Sequence, residues 1–298
     1  MTIATATTHS CGVTTAGAGY CWGENGAGDV GDGSTSQRLT PAAVSGGHTF
    51  TFIGVGQQQS CGLAAGGAAY CWGDGGLGQL GNGSGTGSSV PVLVAGGHTF
   101  TSLTVGLRHA CALTSGGSAY CWGDNHTGMI GDGTTSNATT PVLVTGGLTF
   151  AELSAGTDIT CGVTTGGAAY CWGANGSGQL GDGSTAQSLT PVAVSGGLTF
   201  ATVDAGEQVS CGVAAGGTAY CWGGNQFGAL GDGTNNSSTV PVAVSGGLTF
   251  SSISTAYHLA CGLTTATGAY CWGRNDYGQL GVGTTSNSNL PVKVLGQP

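Results

Sequence analysis

The fold is decided by the stretch Tyr20-Cys21-Trp22-Gly23, which returns along the chain every 50 residues. The tryptophans of the six copies are Trp22, Trp72, Trp122, Trp172, Trp222 and Trp272. A fixed period of this size is typical of solenoids, propellers and other arrays of repeated units. We predict one domain, 1–298, built from six repeats of about 1–47, 48–97, 98–147, 148–197, 198–247 and 248–298.

Each repeat also contains two cysteines at a constant spacing. An even number of cysteines at one repeated spacing indicates a disulfide framework, which forms in an oxidising compartment. Free buried thiols and zinc ligands are the alternatives, although zinc sites usually use close C-x2-C pairs. The predicted disulfides are Cys11–Cys21, Cys61–Cys71, Cys111–Cys121, Cys161–Cys171, Cys211–Cys221 and Cys261–Cys271. The predicted location is extracellular or at the cell surface, and because no signal peptide precedes Thr2, this location assumes a signal that has been removed.

The residues between the cysteines predict a β-hairpin. In the third repeat, Cys111 and Cys121 are symmetric about Gly116, so they should face each other across two antiparallel strands. Side chains alternate along a strand, which places the cysteines on one face of the sheet and Tyr120 and Trp122 on the other. Because both faces are apolar, we expect each sheet to lie between two similar sheets.

Two further β-rich runs complete each repeat. One begins with proline, as in Pro241-Val242-Ala243-Val244, and proline is tolerated at the start of a strand. The other follows a Gly-Gly turn, as in His48–Ile53. The sequence therefore predicts an all-β chain, a β-propeller of six four-stranded blades.

The two ends of the chain continue the same pattern. Ile3 aligns with Ile253, and the last repeat stops at Pro298 without the Thr-Phe pair that precedes this strand elsewhere. We expect the N-terminal strand to join the last blade and close the ring, which would remove exposed strand edges. An open array and a ring completed by another chain are the alternatives.

Four motifs follow one another along the third repeat: Cys111-Ala112-Leu113-Thr114, Gly117–Asn125, Gly131-Asp132-Gly133 and Pro141–Val144. This combination resembles the regulator of chromosome condensation repeat, and the resemblance covers all six units. It implies a β-propeller, although members of that family usually have seven blades. Family functions include nucleotide exchange on a small GTPase, ultraviolet-B sensing and inhibition of secreted β-lactamases. Among the members of that family, this acidic chain with paired cysteines is most similar to a secreted, disulfide-containing, bacterial-like member that binds other proteins.

Charge narrows the range of partners. Four Lys and Arg against thirteen Asp and Glu give a net charge of -9. Nucleic-acid binding draws most of its affinity from Lys and Arg contacts to phosphate, so we expect no nucleic-acid partner. No apolar run approaches the about 18 residues of a membrane-spanning helix, so we expect no membrane insertion.

No sequence motif indicates an enzyme or a cofactor. Turns such as Gly181-Asp182-Gly183 lack the alternating acids of a calcium loop, and they are better explained by Asp capping its own backbone. The six histidines are scattered, although a Ser/His/Asp triad stays open because such triads form only in space. We predict no metal, no cofactor and no enzymatic activity.

The repeats differ most in two loop windows. Large residues in exposed loops of a rigid scaffold are typical of binding surfaces, whereas neutral drift in solvated loops is the alternative. The candidate partner-binding residues are Phe227, Tyr257, His258, Arg274, Asp276, Tyr277, Arg108 and His126. The sequence thus predicts a non-enzymatic extracellular module that recognises a protein partner through variable loops of the propeller face. A self-assembling surface or filament subunit and a glycan-binding propeller are the alternatives.

Overall fold

The computed structural model describes residues 2–297, which form strands and turns and contain no helix. The first twelve strands are β1 (Thr2–Thr5), β2 (His9–Val13), β3 (Gly19–Gly23), β4 (Arg38–Ala43), β5 (Phe50–Val55), β6 (Gln59–Ala64), β7 (Ala69–Gly73), β8 (Ser88–Leu93), β9 (Phe100–Val105), β10 (His109–Thr114), β11 (Ala119–Gly123) and β12 (Ala138–Leu143). The others are β13 (Phe150–Ala155), β14 (Ile159–Thr164), β15 (Ala169–Gly173), β16 (Ser188–Ala193), β17 (Phe200–Ala205), β18 (Val209–Ala214), β19 (Ala219–Gly223), β20 (Ser238–Ala243), β21 (Phe250–Thr255), β22 (Leu259–Thr264), β23 (Ala269–Gly273) and β24 (Ser288–Lys293). None of the described residues belongs to a helix long and apolar enough to cross a membrane.

Consecutive strands pair in six four-stranded sheets, each in the simple order of β1-β2-β3-β4. The pairing within a sheet is antiparallel, as in β17-β18-β19-β20. This arrangement confirms the predicted all-β fold of six four-stranded blades. The chain divides into two compact units, Met1–Ala155 and Gly156–Pro298.

The disulfides lie within the sheets. In the third sheet, Cys111 and Cys121 are directly opposed in the register of β10 and β11. All six predicted pairs are bonded, with Cα–Cα distances of 4.0 to 4.1 Å. The predicted disulfide framework is confirmed. Within residues 2–297, no group of three or more His, Cys, Asp or Glu side chains is arranged to hold a metal ion.

Each inner sheet has two apolar faces, which we name after their residues. The cysteine face carries the two cysteines and the apolar residue two positions after the first, such as Val213 in the fifth sheet. The tryptophan face carries the tryptophan and the phenylalanine that begins the first strand. In the second unit, Cys211 and Val213 pack against Phe250 and Trp272 of the sixth sheet. The first unit repeats this packing of a cysteine face on the next tryptophan face.

One glycine in the hairpin turn allows consecutive repeats to approach closely. Gly217 has φ 82°, and a Cβ there would lie 2.4 Å from the Cγ2 of Thr249 in the next repeat. The next residue, Phe250, donates its backbone N–H to the Gly217 carbonyl at 2.7 Å. Glycine also occupies this turn position in the first four repeats, but the sixth repeat has Thr267, with φ 66°.

The N-terminal strand does not join the last sheet, so this part of the prediction is wrong. Ile3 of β1 is paired with Gly12 of β2 inside the first sheet, and the sixth sheet has four strands of its own. The physical reason is the phase of the repeat. The other five sheets begin with the strand that follows a Gly-Gly turn, and Ile3 pairs with Gly12 in the first sheet as Ile53 pairs with Gly62 in the second.

Candidate functional site

Loops of the fifth and sixth repeats bring aromatic and charged side chains together in the second unit. The Cζ atom of Arg274 lies 5.2 Å from the centroid of the Phe227 ring. His258 lies between two other rings, with its centroid 4.9 Å from that of Phe227 and 4.2 Å from that of Tyr257. Arg274 also donates from Nε to Oδ2 of Asp276 at 2.6 Å. We call these five residues the aromatic–arginine cluster.

Buried asparagines hold two of the three loops that carry this cluster, the loop with Phe227 and the loop with Arg274 and Asp276. The Oδ1 atom of Asn225 accepts the backbone N–H of Leu230 at 2.9 Å, and its Nδ2 donates to the Asn236 carbonyl at 3.0 Å. Asn275 accepts from the backbone of the sixth repeat in the same way. Both asparagines are fully buried. The loop that presents Phe227 is therefore held in one conformation by the hydrogen bonds of buried Asn225, which lowers the entropy lost when a partner binds.

The rim of the cluster is exposed. Tyr257 of the cluster is 49% exposed and the neighbouring Tyr277 is 87% exposed, whereas His258 is buried. Phe227 and Arg274 are half-buried. Exposed large apolar side chains grouped around a buried centre are typical of interaction sites in proteins.

Electrostatics keep the centre of the cluster neutral and its edge charged. Burial, and then the nearby Arg274 charge, lowers the pKa of His258 below its usual value. The Gln226 amide nitrogen lies 3.3 Å from His258 Nε2, so this ring nitrogen acts as the acceptor. A hydrogen bond to Asp276 raises the pKa of Arg274. At neutral pH the cluster therefore presents an arginine–carboxylate pair beside uncharged rings.

An open groove of about 250 Å³ adjoins Phe227. Its lining residues are Gln226, Phe227, Asn235, Asn287, Ser288 and Asn289. Asn289 is oriented by a hydrogen bond from its Nδ2 to the Gly233 carbonyl at 2.9 Å. The sequence prediction missed Asn287 and Asn289, because Asn and Ser occur in the same loop of most repeats. Their one distinguishing signal is their position opposite the exceptional Gln226-Phe227 pair.

Two of the predicted binding residues, Arg108 and His126, belong to the first unit. Arg108 donates from Nε to Oε1 of Gln57 at 3.0 Å. His126 lies with Nδ1 3.1 Å from Oδ1 of Asp124. Tyr277 follows the cluster residue Asp276 in sequence and lies near Arg274 in the second unit. The structure thus brings five of the eight predicted residues into one set of side-chain contacts, and the part of these eight residues in binding stays a prediction.

The first unit contains a Ser–His contact of the kind that a hydrolase would use. His9 Nε2 lies 2.8 Å from the hydroxyl of Ser60, but that hydroxyl donates its proton to the Asp29 backbone carbonyl at 2.9 Å. His9 must then donate to Ser60, which is the reverse of general-base activation. Both side chains are buried, and burial lowers the pKa of His9 to about 4. This contact therefore contributes to packing and does not activate the serine.

The Asp29 carboxylate in the same region is buried and unfavourably placed. Neither carboxylate oxygen has a hydrogen-bond partner beyond its own backbone. Burial, helped by repulsion from Glu24 and Asp74, raises the pKa of Asp29 to about 6. The folded state thus disfavours the charged form of this side chain, and three of the other repeats have glutamine here: Gln79, Gln179 and Gln279.

We expect Asp29→Gln to stabilise the chain at pH 7.5 by about 1–2 kcal/mol, after allowance for solvent screening. The pKa of Asp29 is higher in the folded state than its unfolded value of 3.8, so the stability of the wild type falls as pH rises through about 6. The gain should shrink as pH falls through about 6 and disappear below about pH 3, where the wild-type carboxyl is protonated in both states. Urea unfolding at the two pH values measures it. Asp182→Asn, which also removes one carboxylate charge but in a half-buried turn where the Ser184 backbone N–H donates to Oδ1, is the control. An equal gain from Asp29→Gln at both pH values would contradict the explanation.

Comparison with known proteins relates this architecture to a family. The family model described as "Regulator of chromosome condensation (RCC1) repeat" matches residues 66–113, 116–163, 166–213, 216–264 and 268–298. A second model with the same description matches residues 100–128 and 150–179. A comparison with curated proteins finds no match.

Several solved structures are similar to this chain. Human WBSCR16 superposes with a TM-score of 0.87 at 19% identity, over 98% of this chain and 80% of that one. Yeast RCC1 (Prp20), solved with Kap60 bound, gives a TM-score of 0.87 at 18% identity, over 99% and 74%. The CRINKLY WD40 ectodomain of the Arabidopsis thaliana receptor kinase ACR4 gives 0.58 at 20% identity, over 98% and 80%. At these identities the likeness establishes the fold, an RCC1-type β-propeller. Since the family model covers most of the sequence, the chain belongs to the regulator of chromosome condensation (RCC1) repeat family.

Proposed function

We propose that this chain is a non-enzymatic extracellular module that binds a protein partner through the aromatic–arginine cluster and the adjacent Tyr277. The observation that carries the proposal is the pair of exposed tyrosines, Tyr257 and Tyr277, beside an arginine stacked on Phe227. Tyr and Arg are enriched among the few residues that supply most of the binding energy of protein interfaces. Rings on anchored loops provide a large contact area at a small entropy loss.

The net charge of the chain bears on the kind of partner. With a net charge of -9, the chain attracts a basic surface over a long range, most strongly at low ionic strength. At the cluster itself, Arg274 and Asp276 neutralise each other, so the contact there is mainly aromatic. We therefore infer a partner whose basic surface surrounds an apolar pocket for Tyr277 or Phe227.

Fold relatives and disulfides support the two remaining parts of the proposal. Among the similar structures, yeast RCC1 is bound to Kap60, and the plant protein is the ectodomain of a receptor kinase. These are analogies of fold, which support protein binding and extracellular use without naming a partner. Six disulfides with no free cysteine among the described residues fit an oxidising compartment.

We expect the triple variant Phe227→Ala, Tyr257→Ala, Tyr277→Ala to lose binding by at least about 100-fold, since each truncated hot-spot residue removes about 1–2 kcal/mol or more. The wild-type chain is first used to isolate partners from a cell-surface extract. The dissociation constant of each purified partner is then measured by calorimetry for wild type and variant, in low and in physiological salt.

The matched control truncates exposed apolar residues outside the cluster, Leu93→Ala and Leu143→Ala, which are 55% and 52% exposed. This control should bind like wild type, and all variants should keep the wild-type circular dichroism spectrum. A purified partner whose affinity is unchanged in the triple variant would overturn the assignment of the binding site. A partner bound more weakly by the control than by the triple variant would have the same consequence.

A further inference from the structure

The open groove beside Phe227 lies between the fifth and sixth repeats and is neutral and polar. Its six lining residues are four side-chain amides, a serine and the phenylalanine, and none of them is ionisable. Its volume of about 250 Å³ equals that of about eight waters, since one water occupies about 30 Å³. The groove is therefore large enough for one six-membered sugar ring.

The backbone frame of this groove recurs between the fourth and fifth repeats. The Gly233 N–H donates to the Asn289 carbonyl at 2.9 Å, and the Gly183 N–H donates to the Thr239 carbonyl at the same distance. A glycine lets the two repeats approach closely, because a Cβ at Gly228 would lie 2.5 Å from the Cα of Asn289. The frame thus also forms with threonine in the place of Asn289, so it does not require the amide.

The side chains distinguish this groove from its counterparts. Between the fourth and fifth repeats, the six equivalent residues contain no amide and no ring: Gly176, Ser177, Thr185, Ser237, Ser238 and Thr239. Between the first and second repeats they are Gly26, Ala27, Thr35, Gly87, Ser88 and Ser89. Four amides and an aromatic ring are thus added to a frame that forms without them, which indicates a ligand.

The asparagines of the groove are oriented by hydrogen bonds that leave them able to bind a ligand. Asn287 accepts the Asn275 backbone N–H through Oδ1 at 2.7 Å, which leaves its Nδ2 as a donor. Asn289 donates one Nδ2 proton to the Gly233 carbonyl at 2.9 Å, which leaves its Oδ1 as an acceptor. Each sugar hydroxyl both donates and accepts, so neighbouring hydroxyls match a donor and an acceptor held side by side.

Phe227 supplies an apolar contact at the same groove. Arg274 lies over the ring, with its Cζ 5.2 Å from the centroid, so a ligand in the groove meets the opposite face or the edge. Sugar rings carry C–H groups on one face, and these pack favourably on an aromatic side chain. A few oriented polar groups beside an apolar wall are typical of small-ligand sites.

We propose that this groove binds a neutral sugar ring of a glycan, with its hydroxyls on Asn287 and Asn289 and its C–H face against Phe227. This ligand is additional to the protein partner proposed above, whose site does not include the two asparagines. Binding should be independent of salt, because no lining side chain is ionisable. A single ring has few atoms and displaces bound water, so we expect a dissociation constant in the millimolar range.

The test is NMR titration of the ¹⁵N-labelled 298-residue chain with methyl glycosides of glucose, galactose, mannose, fucose, N-acetylglucosamine and N-acetylgalactosamine. At least one glycoside should shift the side-chain amide signals of Asn287 and Asn289, equally in low and in physiological salt. A disaccharide that ends in the same ring should bind at least as tightly, because the groove is open.

The double variant Asn287→Ser, Asn289→Thr installs the residues of the preceding repeat and should weaken binding by about tenfold or more. It retains the frame, because the Ser237 hydroxyl accepts the Asn225 N–H at 3.1 Å as Asn287 accepts that of Asn275. The matched control is Asn236→Ala, which changes an exposed asparagine that does not line the groove and should bind like wild type. Urea unfolding verifies that both variants fold.

Three results would overturn the proposal: no shift with any glycoside, equal affinity in the double variant, or an affinity that falls as salt rises. The protein partner is tested separately by Tyr277→Ala, which should weaken partner binding and leave sugar binding unchanged. The double variant should in turn retain the partner. Failure of sugar binding therefore leaves the proposed function intact, and failure of partner binding leaves the sugar site intact.

Discussion

Reduction of the six disulfides is expected to unfold the chain in a buffer in which the oxidised chain is folded. Each disulfide joins cysteines with a sequence separation of 10. Closing such a loop in the unfolded chain stabilises the fold by about 2.5 kcal/mol, so six closures contribute about 15 kcal/mol. That is as large as the whole free energy of unfolding of most domains, about 5–15 kcal/mol.

The high glycine content makes folding depend more strongly on the disulfides. Of 298 residues 63 are glycine, which loses more backbone entropy on folding than any other residue. Far-UV circular dichroism during titration with a phosphine reductant measures the loss of strand structure. The double variant Cys211→Ala, Cys221→Ala is the graded control and should lower the free energy of unfolding by about 2–3 kcal/mol. A fully reduced chain with the unfolding midpoint of the oxidised chain would contradict the explanation.

Trp222→Ala is expected to destabilise the chain by about 3–5 kcal/mol, the usual result of removing a buried aromatic ring from a core. Trp222 is fully buried, and its ring centroid lies 5.8 Å from that of Phe200. Its Nε1 donates to the Gln179 carbonyl at 2.8 Å, which joins consecutive repeats. The carbonyl keeps one partner, because the Ser210 hydroxyl also donates to it. Most of the loss should therefore come from the cavity.

The chain itself offers the control, because Trp22 occupies the same place in the half-exposed first sheet. Trp22→Ala removes the same atoms from a half-buried site, so it should destabilise the chain much less. Guanidinium unfolding measures both variants under identical conditions. Equal losses for Trp22→Ala and Trp222→Ala would mean that the contact between sheets contributes little to stability.

The period and the cysteines were sufficient to predict most of the fold. The symmetry of Cys111 and Cys121 about the turn predicted their register, their disulfide and the two faces of the sheet, and all three are confirmed. A period specifies spacing and leaves the phase open. The strand at Ile3 can hydrogen-bond to either of two neighbouring repeats without any change of sequence, which is why the prediction that it joins the last sheet was wrong.

The candidate site was predictable to a smaller extent. The variable windows identified Phe227, Tyr257 and Arg274, but their mutual contacts depend on how three separate turns are oriented. Residue type gave no indication that Leu263 and Ile3 are exposed, because leucine and isoleucine at the same positions in other repeats are buried. Exposure at these places depends on the neighbour of each sheet, and a single repeat contains no information about its neighbour.

The hairpin location of every disulfide has a consequence for oxidative folding. Each cysteine's native partner is ten residues away, whereas the nearest cysteine of another repeat, as in Cys21 and Cys61, is forty residues away. The probability of ring closure falls with about the −3/2 power of loop length, so the native pairing is favoured about eightfold by chain length alone. Hairpins also form within about 1–10 μs, long before thiols oxidise. Twelve thiols can thus find their partners independently, one hairpin at a time, and shuffling by an isomerase should be largely unnecessary.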